Sequence, residues 1–154
     1  MISDDRIGDA HKWWAELDRR RGERASLRRC STAVEAYGIP SVHDLHKLIS
    51  PLPNGVDFDD VCRAAILLAS VKASGRVHPG QRLAAEGFSI IRFQRLIRST
   101  DDADIIRNMR RAILSVDGIV NVQGLVRGVL TWNAPETRKT WAITYYENVK
   151  GDSK

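Results

Sequence analysis

Long apolar runs are what this 154-residue sequence most visibly lacks. The densest stretch, 64–71, already contains Ser70 and is flanked by Arg63 and Lys72, so nothing approaches the roughly 18 apolar residues of a membrane helix. The N-terminus places Asp4 and Asp5 where a secretory signal would be basic, and no apolar stretch follows, which predicts a soluble, cytoplasmic chain with no membrane partner. Cysteine is scarce too. Cys30 and Cys62 form no CxxC pair or other metal-ligand spacing, so they read as two small buried hydrophobes rather than a disulfide or a metal site. Hairpin dipeptides between alternating runs are missing, and Ile119-Val120 is too short for a strand. Aromatics are 6% of the chain, whereas the 43% hydrophobic content is too high for a disordered one. At this length one domain is expected, burying roughly 68–70% of the surface its unfolded chain exposes.

Lysine is the last scarcity. Of 24 basic residues, 18 are Arg and 6 are Lys, against 19 acids, for a net charge of +5 and a pI near 9.6. Arginine forks onto phosphate and stacks on bases, so an Arg-heavy excess leans toward nucleic acid, although codon usage in a GC-rich genome gives the same bias. The excess is clustered. Residues 19–29 hold six Arg and one Glu, and residues 92–111 hold six Arg and three Asp. Such clustering concentrates a positive field at one face.

What is present reads almost entirely as helix, about eight or nine in a compact all-α bundle. A helix over 9–20 aligns Trp13, Trp14 and Leu17, and one over 23–37 aligns Leu27, Cys30, Val34 and Tyr37 before Gly38 and Pro40 stop it. Ser41 is expected to cap the next, with Asp44 in capping-box position and Leu45, Leu48 and Ile49 inside. Residues 50–55 are a loop by turn chemistry. Asp57 or Asp59 starts the most apolar helix, 61–71, which should run through the centre of the core. A second loop, 72–80, is the candidate boundary between two packed subdomains. Beyond it come a short helix over 81–86 ended by Gly87, a helix from Ser89 to Arg98, and one over 102–116 capped by Thr100 or Asp101. Asp117-Gly118 makes a turn, Asn121 caps 122–132, and Pro135 opens a last helix carrying Trp141, Tyr145 and Val149 inward. Residues 150–154 are a frayed tail. Leu27, Cys30, Val61, Leu67, Leu96, Met109 and Ile113 are expected to be buried.

Catalysis has no evident home. His43 and His46 share a helix face at i, i+3 but lack a third ligand, so no metal or other cofactor is expected. The acidic groups Asp57/Asp59/Asp60 and Asp101/Asp102/Asp104 could suggest two-metal hydrolysis, yet both sit at helix starts, where carboxylates serve bare N–H groups and the helix dipole. No phosphate loop follows a strand, and no Ser, Cys or Thr stands in a nucleophile context. The protein reads as a non-enzyme. The basic helices carry more. Arg21, Arg24 and Arg28 share one face, and Arg29 is a further candidate beside them; Arg92, Arg95 and Arg98 form a slanting ridge; Arg107, Arg110 and Arg111 form a third; Arg138 and Lys139 are a weaker fourth group. Several ridges could line a groove that follows a phosphate backbone. They could equally be solvated faces, paired with Glu23, Asp101 or Asp104. The tryptophans sit at spacings of core or interface anchors rather than base-stacking platforms.

At these residues the chain resembles a known family. Trp14-Ala-Glu-Leu-Asp followed by Arg21-Gly-Glu-Arg-Ala-Ser-Leu-Arg-Arg is similar to the opening of the CasB small subunits of type I-E CRISPR Cascade complexes. So are Arg92-Phe-Gln-Arg-Leu-Ile-Arg98, Met109-Arg-Arg and Leu130-Thr-Trp132, in that order, over about residues 11 to 147. After Trp132 the chain departs from the family's second aromatic and basic run, with Asn133-Ala-Pro-Glu preceding Arg138-Lys139. The resemblance implies a helical, non-catalytic structural subunit. It would occur as two copies, contact the large subunit and the repeated backbone subunits of a guide-RNA complex, and help hold opened target DNA, particularly the displaced non-target strand. Base pairing to the guide would then supply specificity, leaving the protein to grip backbone. The alternative from the residues alone is a stand-alone helical DNA-binding regulator. That would need a recognition helix with amides toward base edges, which arginine faces spread over several helices disfavour.

Overall fold

The structure, a computed structural model, describes residues 3–50 and 55–149. The expected frayed tail 150–154 and most of the loop at 50–55 lie outside the described residues. Within them, nine α-helices form an all-α bundle, as the sequence predicts. Helix α1 (Asp4–Glu16) begins five residues earlier than expected, because Ser3 caps it and Ile7 and Ala10 extend the buried stripe back from Trp13. A 3-10 turn, Leu17–Arg19, leads into α2 (Arg21–Arg29).

The continuous helix expected over 23–37 is broken. Helix α2 stops at Arg29, Cys30 turns extended (φ −72°, ψ 136°), and a 3-10 turn spans Ala33–Ala36. Val34 and Tyr37 therefore face outward, at 60% and 41% exposure, while Ala33 and Ala36 take the core positions. Distant partners replace the lost helical bonds: the Ala33 N–H donates to the Asp102 carboxylate (2.8 Å), and the Cys30 carbonyl accepts from Arg110 (2.7 Å). The next helix, α3 (Pro40–Ile49), also starts differently. Pro40 occupies its first position, and Ser41 is buried in the first turn instead of capping it. Ser41 donates its N–H to Glu23 (2.8 Å) and accepts from the Trp13 indole (2.8 Å). Asp44, freed from a capping box, pairs with Arg20 (2.9 Å), and Leu48 turns partly outward, unlike Leu45 and Ile49.

Helix α4 (Phe58–Leu68) runs through the centre as predicted; every residue from Val61 to Leu68 is buried. It packs against α2, α3, the 33–36 turn, α7 (Asp102–Ser115) and α8 (Val122–Leu130), while α1 covers α3 and α8. The short α5 (Pro79–Ala85) lies on α9 (Pro135–Asn148), and α6 (Ile90–Arg98) lies on α7. Ser89, Asp101 and Asn121 cap α6, α7 and α8 with their side chains, and Gly87 ends α5 at φ +83°. The turn at Asp117-Gly118 has both residues at positive φ, and a Cβ on Gly118 would lie 3.1 Å from the Ser70 carbonyl. This close approach lets Ile119 form a single parallel bridge with Ala73. All seven predicted core residues are buried, and both cysteines are free thiols inside the core.

Candidate nucleic-acid interface

The acidic groups at the helix starts divide by role. Among the described residues of the six, Asp101 alone caps with its side chain. Asp59 accepts the Tyr37 hydroxyl (2.5 Å), which pushes that phenol up to about 12. Asp104 pairs with Arg107. Asp60 and Asp102 flank Arg63, the one charge on the inner stretch of α4. Burial works against the Arg63 guanidinium, but the bonds to Asp102 and Asp60 more than offset it and hold its pKa above the usual value. The Asp102 carboxylate thus ties α7 to α4 and to the 33–36 turn at once. His43 and His46 lie against the Phe58 ring, with centroids at 5.1 and 5.2 Å.

The basic ridges divide in the same way. On α2, Arg24 donates to the carbonyls of Ala69 (3.1 Å) and Val71 (3.0 Å) and pairs with Asp18, and Arg28 also donates to Ala69 (3.0 Å). These two clamp the C-terminal end of α4, where cations suit the helix dipole. Arg21 and Arg29 stay exposed, Arg29 reaching the Ser26 hydroxyl at 3.4 Å. On α7, Arg107 is paired with Asp104, Arg110 is half-buried on the Cys30 carbonyl, and Arg111 is exposed. Burial pushes the Arg110 guanidinium down, Glu35 only partly offsets this, and its Nε has no partner among the described residues. Since arginine keeps its proton, this is a cation short of an anion. On α9, Arg138 donates to the Ile97 carbonyl at the end of α6 (3.2 Å), while Lys139 is exposed.

Helix α6 differs. Arg92, Arg95 and Arg98 are all exposed, and among the described residues none meets a carboxylate. The opposite face of α6 is fixed: Phe93 stacks on Tyr145 with centroids 3.9 Å apart. Its C-terminal end is held by Ser99, whose hydroxyl accepts from Asn108 (2.8 Å) and whose carbonyl accepts from the Trp132 indole (3.0 Å). The ridge is therefore carried on a rigid, anchored helix. The structure brings Arg29 and Arg110 together around Cys30, and sets Arg138 on the Ile97 carbonyl at the end of α6.

Over residues 23–146 the sequence matches the family described as CRISPR-associated protein Cse2. The chain belongs to the Cse2 family. Its fold is similar to that of a chain in the crystal structure of E. coli Cascade bound to a PAM-containing dsDNA target with a 32-nt spacer. The TM-score is 0.72 at 21% identity, covering 91% of this chain and 93% of that one. No curated protein matches this chain.

In this Cse2-family chain, no local sequence pattern announces that arginines close helix ends. Besides Arg24, Arg28, Arg110 and Arg138, Arg6 donates to the Leu48 carbonyl of α3 (3.2 Å), and Arg82 donates to those of Ile119 (3.0 Å) and Val116 (3.4 Å) after α7. Five of the nine helices described, α2, α3, α4, α6 and α7, end on such a clamp. Most partners lie 34 to 80 residues away, beyond any local pattern. Arg63 was readable, because a lone cation inside an apolar helix requires a carboxylate.

Proposed function

We propose that the protein is a non-catalytic small subunit of a guide-RNA-directed CRISPR interference complex. It scaffolds that complex and grips the displaced non-target strand of opened target DNA. Its partners are then the large subunit, the repeated backbone subunit, a second copy of itself, the guide-RNA assembly and target DNA. Membership of the Cse2 family supports the setting, as does likeness in fold to a chain of a Cascade bound to double-stranded target. The observation that carries the DNA role is the α6 ridge, three exposed arginines on a helix whose inner face is locked. Such a row offers backbone contacts without base-edge amides, which suits a strand whose sequence is read elsewhere. Arg21, Arg29 and Arg111, with Lys139, are the other outward-facing candidates. Arg24, Arg28, Arg107, Arg110 and Arg138 are engaged by protein, so their removal acts first on packing.

The test is target-duplex affinity against salt in the assembled complex, for Arg92→Ala/Arg95→Ala/Arg98→Ala beside the unaltered protein. A single strand loses about 0.7 in salt slope per phosphate contact removed, so the triple variant is expected to lose about 2. A pre-opened bubble target should recover part of the affinity, because the strand no longer has to be held apart. Unchanged affinity and slope would show the ridge to be solvated surface; loss of assembly would assign it to a protein partner.

A further inference from the structure

Of the three tyrosines, Tyr37 and Tyr145 donate their hydroxyls to Asp59 and to the Phe88 carbonyl. Tyr146 follows Tyr145 on α9 and is 45% exposed. Its ring is nonetheless held. The Phe93 and Tyr145 rings are stacked and nearly parallel, and Tyr146 stands across both at 89° and 90°, with centroids 5.8 and 5.1 Å away. Perpendicular contacts of this kind are a favoured geometry for aromatic pairs. The open part of Tyr146 is therefore an aromatic surface already ordered before anything meets it.

That surface lies beside the arginine ridge. Helices α6 and α9 run antiparallel along each other: Arg138 donates to the Ile97 carbonyl, Tyr145 stacks on Phe93, and Val149 and Ile90 border one hollow. Tyr146 thus meets α6 at Phe93, the residue next to Arg92. Phe93 is buried, so the ring stands at the flank of α6 while the ridge occupies its outer face. A helix is about 10–12 Å across with its side chains, so ring and ridge are no more than about one helix width apart. That is comparable with the span of one nucleotide from its phosphate to the outer edge of its base. Lys139, two turns before Tyr146 on the same face of α9, is exposed near the Arg98 end of α6.

We propose that Tyr146 stacks a base of the displaced strand whose phosphates lie on Arg92, Arg95 and Arg98, with Lys139 extending the track. This rests on the reading of α6 as a grip on that strand and adds a contact to its bases. Cations that follow a backbone, joined to an aromatic face for the bases, are the combination that holds single strands without reading their sequence. A protein partner would have to bring a carboxylate to each cation as well as a cover for the ring, whereas one strand supplies a phosphate and a base at every step. A tyrosine face accepts any base, which suits a strand whose sequence is read by pairing elsewhere.

The test uses the assembled complex and a pre-opened bubble target whose non-target strand is either normal or abasic through the bubble. Tyr146→Leu is expected to bind the normal strand about tenfold more weakly than the unaltered protein, equivalent to about 1.4 kcal/mol, and the abasic strand equally well. Tyr146→Phe, which keeps the ring, should bind both as the unaltered protein does. The salt slope should be unchanged in Tyr146→Leu, because a neutral ring releases no counterions, whereas the triple arginine variant loses about 2. The unaltered protein should itself bind the abasic strand about tenfold more weakly, a measurement that needs no substitution. Equal affinity of the unaltered protein for the two strands, equal loss by Tyr146→Leu on both, or no loss on either would overturn the platform. If the triple arginine variant is weakened in the same assay, the grip of the ridge on the strand stands without it; if that variant is also unaffected, both fall.

Discussion

Leu67 and Leu96 are completely enclosed, one on the central helix and one on the inner face of α6. Truncating either removes transfer energy and leaves a cavity that the packed helices fill only in part. Leu67→Ala and Leu96→Ala are each expected to cost about 2–5 kcal/mol, read from urea midpoints at unchanged slope. Val34 makes the contrast. The spacing of Leu27, Cys30 and Val34 marks it as core, but the break after Arg29 leaves it 60% exposed. Val34→Ser is therefore expected to change stability by no more than about 0.5 kcal/mol. A cost like that of Leu67→Ala would mean that 23–37 is one helix after all.

At the scale of elements, helix ends carry the information. Helix α5 is capped by His78, whose Nδ1 accepts from the Gly80 N–H at 2.9 Å, and burial lowers the imidazole pKa below its usual 6.5. The folded protein thus keeps this histidine neutral at pH values where the unfolded chain has begun to protonate it. Because the unfolded state binds more protons in that window, stability rises with pH there and is lost as pH falls below 6.5. His78→Asn keeps a capping acceptor without a titrating ring. Its melting midpoint is expected to fall less steeply between pH 6.5 and 5 than that of the unaltered protein. Equal slopes would show that another group sets the acid limb. Asp60, raised by burial and by Asp57 and Asp59 against the pull of Arg63, acts in the opposite direction but in the lower, carboxylate range.

Over the whole molecule, arginine serves two purposes that composition cannot separate. Arg63, Arg24, Arg28 and Arg110 join elements far apart in sequence, whereas Arg92, Arg95 and Arg98 face outward. Arg63→Ala leaves Asp60 and Asp102 without their cation, and stranding one side of a buried pair costs about 3–5 kcal/mol. It is expected to lower the urea midpoint as much as a core truncation. The α6 triple variant, by contrast, should stay near the unaltered midpoint while losing salt-dependent target affinity. If both variants unfold alike, the division between structural and outward arginines is wrong.

The sequence alone determined whatever depends on near neighbours. Ser89, Asp101 and Asn121 sit one step ahead of helical stripes and cap them, Gly87 and Gly118 end elements at positive φ, and the unbroken run from Val61 marks the central helix. The same local periodicity placed Arg92, Arg95 and Arg98 opposite Phe93 and Leu96. What only the tertiary structure decided rests on partners distant in the chain. The break at Cys30 exists because Arg110 and Asp102 take up the freed carbonyl and N–H, and Ser41 is drawn inward by Glu23 and Trp13. Likewise, an exposed arginine and one clamped to a helix end are identical in sequence. Their roles separate only when folding brings an unsatisfied carbonyl, 34 to 80 residues away, within reach of a guanidinium.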